Sequence, residues 1–398
     1  MRFPGTEVRH AFRPLVLGVV LASVCCGAPA TSIDQDSDDT TTPPSAPVGV
    51  SFDPHLIADD FDGAISVSSA DVDGDGDIDI VGAGLRSDRM AWWENTGNLD
   101  FGMHDISSSF DAARQIFSFD VDGDGDQDII GAAFYGNSIA WWENDGAQDF
   151  AIHPLREDFE GSNTVHAGDL DGDGALDIVA GSWHHDQNFS DSLLWFRNEG
   201  DGVFAEGVTI DRGSRYSCVK VADLDRDGDD DVVIATYGNG TISWWENAGD
   251  GSFESEHVVA AGFAGSHWVH VVDLDSDGDL DILGAAIDLN MVAWWKNDGS
   301  QEFERHVLDD SFAAAGSVHA GDVDGDGDID VLATAEGANT VAWWENDGDE
   351  SFTKEVISSG VGQALDVHAV DIDGDGDADV LGAAYSGDTI TLWETRQQ

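Results

Sequence analysis

Basic residues and cysteine are what this 398-residue chain has least of. It carries 16 Lys plus Arg against 80 Asp plus Glu, a formal net charge of −64, and three Cys. Nucleic-acid binding is excluded, because holding phosphates takes Lys and Arg. A basic helix lying on a membrane surface is excluded for the same reason. Long apolar runs are also missing: the longest, residues 15–24, is too short to span a bilayer. No nucleophile elbow, phosphate loop, HExxH or Cys-based zinc motif occurs. Aromatics are not scarce. Fourteen Trp, 19 Phe and 41% apolar residues are too many for a disordered acidic chain, and 47 Gly point to many tight turns.

The N-terminus reads as an export signal over residues 1–30. Arg2, Arg9 and Arg13 precede the apolar run, and Ala28-Pro29-Ala30 offers small residues for cleavage. Cys25 and Cys26, just after the run, leave a lipid-anchored lipoprotein open. Residues 31–48 are rich in Asp, Thr, Pro and Ser and read as a flexible tether. The expected location is secreted or cell-surface. Past residue 30 only Cys218 remains, so no disulfide can staple the mature chain.

Internal repetition decides the architecture. The string Asp-x-Asp-x-Asp-Gly-x-x-Asp starts at Asp71, Asp120, Asp169, Asp223, Asp273, Asp322 and Asp371, in steps of 49, 49, 54, 50, 49 and 49 residues. Each repeat holds four strand-like segments bounded by Gly, Asn and Asp; in the first they are residues 65–70, 78–83, 90–94 and 101–106. Paired aromatics recur in the third segment, from Trp92-Trp93 to Trp343-Trp344, with Trp195-Phe196 and Leu392-Trp393 in the same columns. Neighbouring strand residues point to opposite faces, so both faces of each sheet are apolar and must be covered. The expected fold is therefore all-β, a seven-bladed β-propeller of four-stranded blades over residues 49–396. The fourth strands open at Phe101, Phe150, Phe204, Phe253, Phe303 and Phe352; the last repeat stops after its third strand, while Phe52-Asp-Pro-His-Leu-Ile57 matches the fourth strand of the others. The N-terminal strand should close the ring.

The acidic loops carry the chemistry. Positions 1, 3, 5, 7 and 9 are Asp71, Asp73, Asp75, Asp77 and Asp79 in repeat one, and Asp120, Asp122, Asp124, Asp126 and Asp128 in repeat two. Repeat three has Asp169, Asp171, Asp173, Ala175 and Asp177; repeat four has Asp223, Asp225, Asp227, Asp229 and Asp231. Repeats five to seven continue with Asp273, Asp275, Asp277, Asp279 and Asp281, then Asp322, Asp324, Asp326, Asp328 and Asp330, then Asp371, Asp373, Asp375, Asp377 and Asp379. Hard oxygen donors at this density select Ca²⁺, about seven ions for seven loops. Ala175 indicates that position 7 serves through its backbone carbonyl. Position 12, Gly82 in repeat one, lacks the Glu of an EF-hand, and the flanks are strands, so an EF-hand is excluded.

Seven loops of this kind followed by Ile-Val-Gly-Ala-like strands, with Trp-Trp-Glu-Asn-x-Gly between them, resemble FG-GAP/VCBS repeats, the blades also found in integrin α-subunits. The resemblance covers residues 52 to about 395. It implies a calcium-binding propeller; relatives include adhesion receptors, lectins and parts of polysaccharide-active enzymes. Two functions follow as alternatives. One is a non-enzymatic binding or adhesion module, expected as a monomer, for an extracellular glycan or protein, touching membrane only through a lipid anchor. The other is a carbohydrate-active enzyme such as a lyase.

Two further features single out residues. A five-residue insertion in repeat three, between the second and third strands, brings Trp183, His184, His185 and Asp186 to the face opposite the calcium loops; they are the candidate ligand contacts. Histidine recurs three residues before the loop at His166, His270, His319 and His368, where a ring of imidazoles near the channel is either core packing or a site for a metal or anion. A second column, His55, His104, His153, His257 and His306, lies in the outer strand and reads as structural.

Overall fold

The structure, a computed structural model, describes residues 49–184 and 191–397. Residues 1–48, which read as an export signal and a tether, lie outside these residues. Twenty-eight strands form seven four-stranded antiparallel sheets. In blade one the strands are Ala64–Ala70, Asp79–Gly84, Arg89–Asn95 and Phe101–Ser107, each within a residue or two of the segments expected from sequence.

The core has no single centre. Each apolar cluster joins residues of two neighbouring blades: Trp92 and Val81 of blade one pack with Ile116 and Trp142 of blade two, and Trp294 of blade five with Val331 and Trp344 of blade six. The paired aromatics divide the work. The second Trp of a pair meets a Phe that precedes its own blade's inner strand, as in Phe110–Trp142 at 4.8 Å and Phe263–Trp295 at 4.9 Å, both edge-on. The first Trp meets the Phe of the next blade's outer strand, as in Trp294–Phe352 at 6.0 Å. Such edge-to-face contacts add roughly 0.5–1.5 kcal/mol each beyond burial.

The ring closes where the register predicts. The strand Val50–Ala58 pairs antiparallel with Thr389–Gln397, with Phe52 opposite Thr395 and Pro54 opposite Trp393. It thus becomes the outer strand of blade seven. Phe52 then meets Trp343 of blade six edge-on at 5.9 Å, as the corresponding Phe does elsewhere.

The outer-strand histidines are structural. His104 lies opposite Trp92 in the register and stacks on it at 4.7 Å, while its Nε2 is 2.9 Å from Glu94 Oε2. His153 repeats this with Trp141 and Glu143. Blade three departs from the pattern in one respect. Phe204, expected to open its fourth strand, makes only an isolated bridge to Asn198, and the strand runs from Val208 to Arg212. Cys218 is buried as a free thiol.

Closure by the N-terminal strand gives a direct test. Deleting residues 49–58 should uncover Trp393 and Trp343 and lower the melting temperature sharply, with aggregation. Deleting only residues 31–47 should leave it unchanged. Equal behaviour of the two truncations would contradict the observed pairing.

Candidate functional site

Each acidic loop is a tight turn between a blade's inner and second strands. Position 6 is glycine in all seven, with φ between 91° and 102°. That region is closed to side chains, so only glycine serves. Position 4 has a milder left-handed φ of 57–79°, and there Arg226 and Ser276 replace glycine in blades four and five. The turn folds the carboxylates inward: Gly76 N donates to Asp71 Oδ2 at 3.1 Å, Asp75 N to Asp73 Oδ1 at 3.1 Å and Asp77 N to Asp75 Oδ1 at 2.9 Å.

Position 9 has a second role that its spacing alone does not reveal. Asp79 is buried, and both its oxygens are taken by backbone: Val72 N donates to Oδ2 at 2.9 Å and Asn95 N to Oδ1 at 2.8 Å. The same pair of bonds recurs in every blade, ending with Ile372 and Thr395 on Asp379. The Asn of Trp-Trp-Glu-Asn completes the clasp. Asn144 Nδ2 donates to Gln127 O of its own loop at 3.1 Å and to Val72 O of the preceding blade at 2.8 Å. Asn198 and Asn247 do likewise to Val121 O and Leu170 O, both at 2.8 Å. In blade seven Thr395 stands in for the Asn, and Gln397 Nε2 reaches Asp324 O of blade six instead. The recurrence of Asn beside the Trp pair was the available signal for this clasp.

The donor set fits a hard cation. Ligand atoms of positions 1, 3 and 9 lie within 4.8 Å of one another in Asp71–Asp73–Asp79, Asp120–Asp122–Asp128, Asp169–Asp171–Asp177 and Asp223–Asp225–Asp231. Buried carboxylate oxygens with no hydrogen-bond donor remain at Asp71, Asp223, Asp273 and Asp377. Burial pushes the position-9 carboxyls up, to about 6 in Asp79 and about 7 in Asp128 and Asp330. Asp73 is raised by burial first and then by Asp75, Glu94 and Asp71. A cation among these groups would relieve both the desolvation and the repulsion.

The loops are not equivalent. The Glu that follows the Trp pair (Glu94, Glu143, Glu246, Glu345 and Glu394) is replaced by Arg197 in blade three and Lys296 in blade five. Arg197 Nε lies 2.5 Å from Asp171 Oδ2, and Lys296 pairs with Asp275 and, at 2.6 Å, with Glu350. In these two blades a tethered cation already sits on the position-3 carboxylate.

The opposite face is built from the turns between second and third strands. There a residue with left-handed backbone grips the next blade: Asp88, at φ 52°, accepts from Ala112 N through Oδ1 and from Phe110 N through its carbonyl. Asn137, Asn290, Asn339 and Asp388 repeat the bond with their side chains. The blade-three insertion starts here. Trp183 stacks on Tyr237 of blade four at 4.9 Å and lies edge-on to His267 of blade five at 6.1 Å. His184 is held by Asp191, which accepts from both its backbone N and Nδ1 at 2.7 Å. His185 and Asp186 lie outside the described residues.

Sequence reasoning passed over Arg114, on the inner strand of blade two. Its Nε donates to Asn163 Oδ1 at 2.9 Å, and Asn163 is fixed in turn by Nδ2 bonds to Tyr216 O and Ser217 O. Among the described residues it has no ion pair with a carboxylate. The signal was positional: Arg114 is the one basic residue in a column otherwise filled by Ile65, Asn163, Ser217, His267, Gly316 and Leu365.

These features define a seven-bladed propeller with one acidic, loop-bearing face. The FG-GAP-like repeat model matches residues 71–131, 120–180, 182–234, 223–284, 285–333 and 322–382, and the chain belongs to that family. No curated protein matches it. Among solved structures it is similar to an Agrocybe aegerita lectin described as recognising non-reducing terminal N-acetylglucosamine, at 22% identity and TM-score 0.54 over 75% of this chain and 81% of that one. It is also similar to a streptogramin B lyase (15% identity, TM-score 0.62, 87% and 98% covered). A third is BBS1N in complex with ARL6DN (12% identity, TM-score 0.58, 88% and 97% covered). At these identities the likeness is one of fold.

The clasp predicts a structural cost separable from metal binding. Asp330→Ala leaves the buried N–H groups of Val323 and Asn346 without acceptors, about 1–3 kcal/mol for each. The loss should persist in excess chelator, measured by urea unfolding. Destabilisation seen only in the presence of calcium would make Asp330 a ligand and nothing more.

Proposed function

We propose that this protein is an exported binding module whose ring is stiffened by Ca²⁺ and whose ligand face lies opposite the acidic loops. The observation that carries the reading is the asymmetry of that face. Six blades use short turns there, whereas blade three adds five residues and lays Trp183 across Tyr237 of the next blade. Arg114, fixed by Asn163 and with no carboxylate at ion-pair distance among the described residues, is a further candidate contact. Trp183, Tyr237 and Arg114 together suit a glycan, with an aromatic surface for a sugar ring and a donor for its oxygens. That a propeller of similar fold is a lectin supports a glycan; that another occurs in a complex with a protein keeps a protein partner as the alternative. A preformed face binds better than one that must order on binding, which gives the metal loops a purpose.

For calcium we propose two classes of loop. Blades one, two, four, six and seven carry an extra Glu beside the loop and bind more tightly; blades three and five must displace Arg197 or Lys296. Calorimetric titration of chelator-stripped protein should resolve a tighter and a weaker class, and Lys296→Glu should move one site into the tighter class. A single class unaffected by Lys296→Glu would sink the distinction. Affinities of extracellular modules run to roughly 10⁻⁴–10⁻³ M, so millimolar calcium should also raise the melting temperature by mass action.

The ligand face is tested on a glycan array with the wild type, Trp183→Ala, and a variant whose residues 183–189 are replaced by the short turn Glu336-Gly337-Ala338 of blade six. Binding lost with an unchanged melt supports the site, and binding kept by both variants refutes it. Release of product from a polysaccharide would replace the binding reading by the enzyme.

A further inference from the structure

The column three residues before each acidic loop places Ser68, Phe117, His166, Lys220, His270, His319 and His368 on successive inner strands. The structure divides it into two arcs. In one, Lys220 Nζ lies over Phe117, 4.5 Å from the ring centroid and 5.8 Å from that of Trp268, and His166 packs edge-on against Phe117 at 5.3 Å and Phe119 at 5.4 Å. That arc is filled by cation–π and aromatic packing. The other arc holds only imidazoles. His270 and His319 have ring centroids 4.2 Å apart, and His319 and His368 4.4 Å apart, with planes inclined at 43° and 55°.

Their nitrogens are unevenly satisfied. His368 Nε2 is 2.9 Å from Ser69 Oγ, and His319 Nδ1 accepts a long bond from Ala369 N at 3.3 Å. His270 Nδ1 is buried and has no hydrogen-bond partner among the described residues. A buried polar atom without a partner is costly and calls for a reason. Neutral imidazole suits Zn²⁺, Ni²⁺ and Cu²⁺, ions that the all-oxygen loops do not favour. The net charge of −64 raises the local concentration of any cation.

We propose that His270, His319 and His368, from three consecutive blades, form a transition-metal site in the channel, chemically distinct from the acidic loops. Ser69, bonded to His368 Nε2, would act as the positioning group that fixes one ring.

The probe is Co²⁺ added to the full chain with calcium in large excess, so that the loops are saturated. A single Co²⁺ per chain should bind, with the visible absorption of nitrogen ligation; Zn²⁺ should displace it and calcium should not. His319→Ala should weaken binding at least about tenfold, the scale on which metal sites respond to lost support. If that variant fails to fold, His270→Gln keeps the bulk and reads the same loss. His55→Ala is the control, since His55 lies in a separate cluster with Asp53 and Glu394 that could also take a metal. Absence of Co²⁺ binding, displacement by calcium, or indifference to both channel variants would overturn the site. So would loss of binding in His55→Ala alone. A rise in melting temperature with phosphate that depends on these histidines would assign an anion site and overturn the metal.

Discussion

Everything in this ring depends on a carboxylate buried at the ninth position of each loop. A blade with apolar residues on both faces cannot stand alone, and its neighbours must be held at a fixed distance and angle. Aromatic packing supplies the area but little direction. Direction comes from hydrogen bonds: Asp128 binds Val121 N at the start of its own loop and Asn144 N at the end of its third strand, and the Asn144 side chain then crosses to Val72 O. One acidic residue thus fixes the loop, the blade and, through its Asn, the interface. The cost is a desolvated carboxyl raised to about 7, and a cation alongside offsets that cost.

The two faces are consequently specialised. On the loop face, positions 1, 3, 5 and 9 are Asp in every blade, committed to the turn and the clasp, so variation falls elsewhere, as at position 4, position 7 and the Glu beside the loop. Arg226, Ala175, Arg197 and Lys296 occur at those places. On the other face the carbonyl of one residue per turn does the gripping, from an Asn or Asp in six blades and from Gly240 in blade four, and the rest of the turn can vary. Blade three shows how much freedom this leaves. Its insertion ends at Asp191, whose carbonyl accepts from Gly213 N at 2.9 Å, so the grip on the next blade survives five extra residues.

The sequence makes the blade count, the strand positions and the closing strand legible because they follow from a period near 49 residues and a two-residue alternation. The outer histidines were readable as structural from their column alone. Less was readable where a side chain acts across blades. The Asn clasp joins residues 72 or more positions apart, such as Asn144 and Val72; the recurring Asn marks one end of the bond, and no local pattern announces the other. The start of blade three's outer strand was misplaced because Phe204 keeps the aromatic of its column while the chain after it fails to pair. His184, which composition suggested as a ligand contact, has its ring fixed by Asp191 through Nδ1.

The channel shows why a column must be read with its neighbours. Seven residues at one repeat position share a backbone environment, yet Lys220 turns toward Phe117 while His270, His319 and His368 turn toward each other. The difference is set by what stands next in the ring: an aromatic face takes the ammonium, whereas imidazole beside imidazole leaves nitrogens to be shared. Strict repetition would have made all seven alike and closed the channel with one kind of side chain. The departures from repetition, at Arg114, Lys220 and Trp183, are therefore where a protein whose fold is fixed by its repeats has room to carry a function of its own.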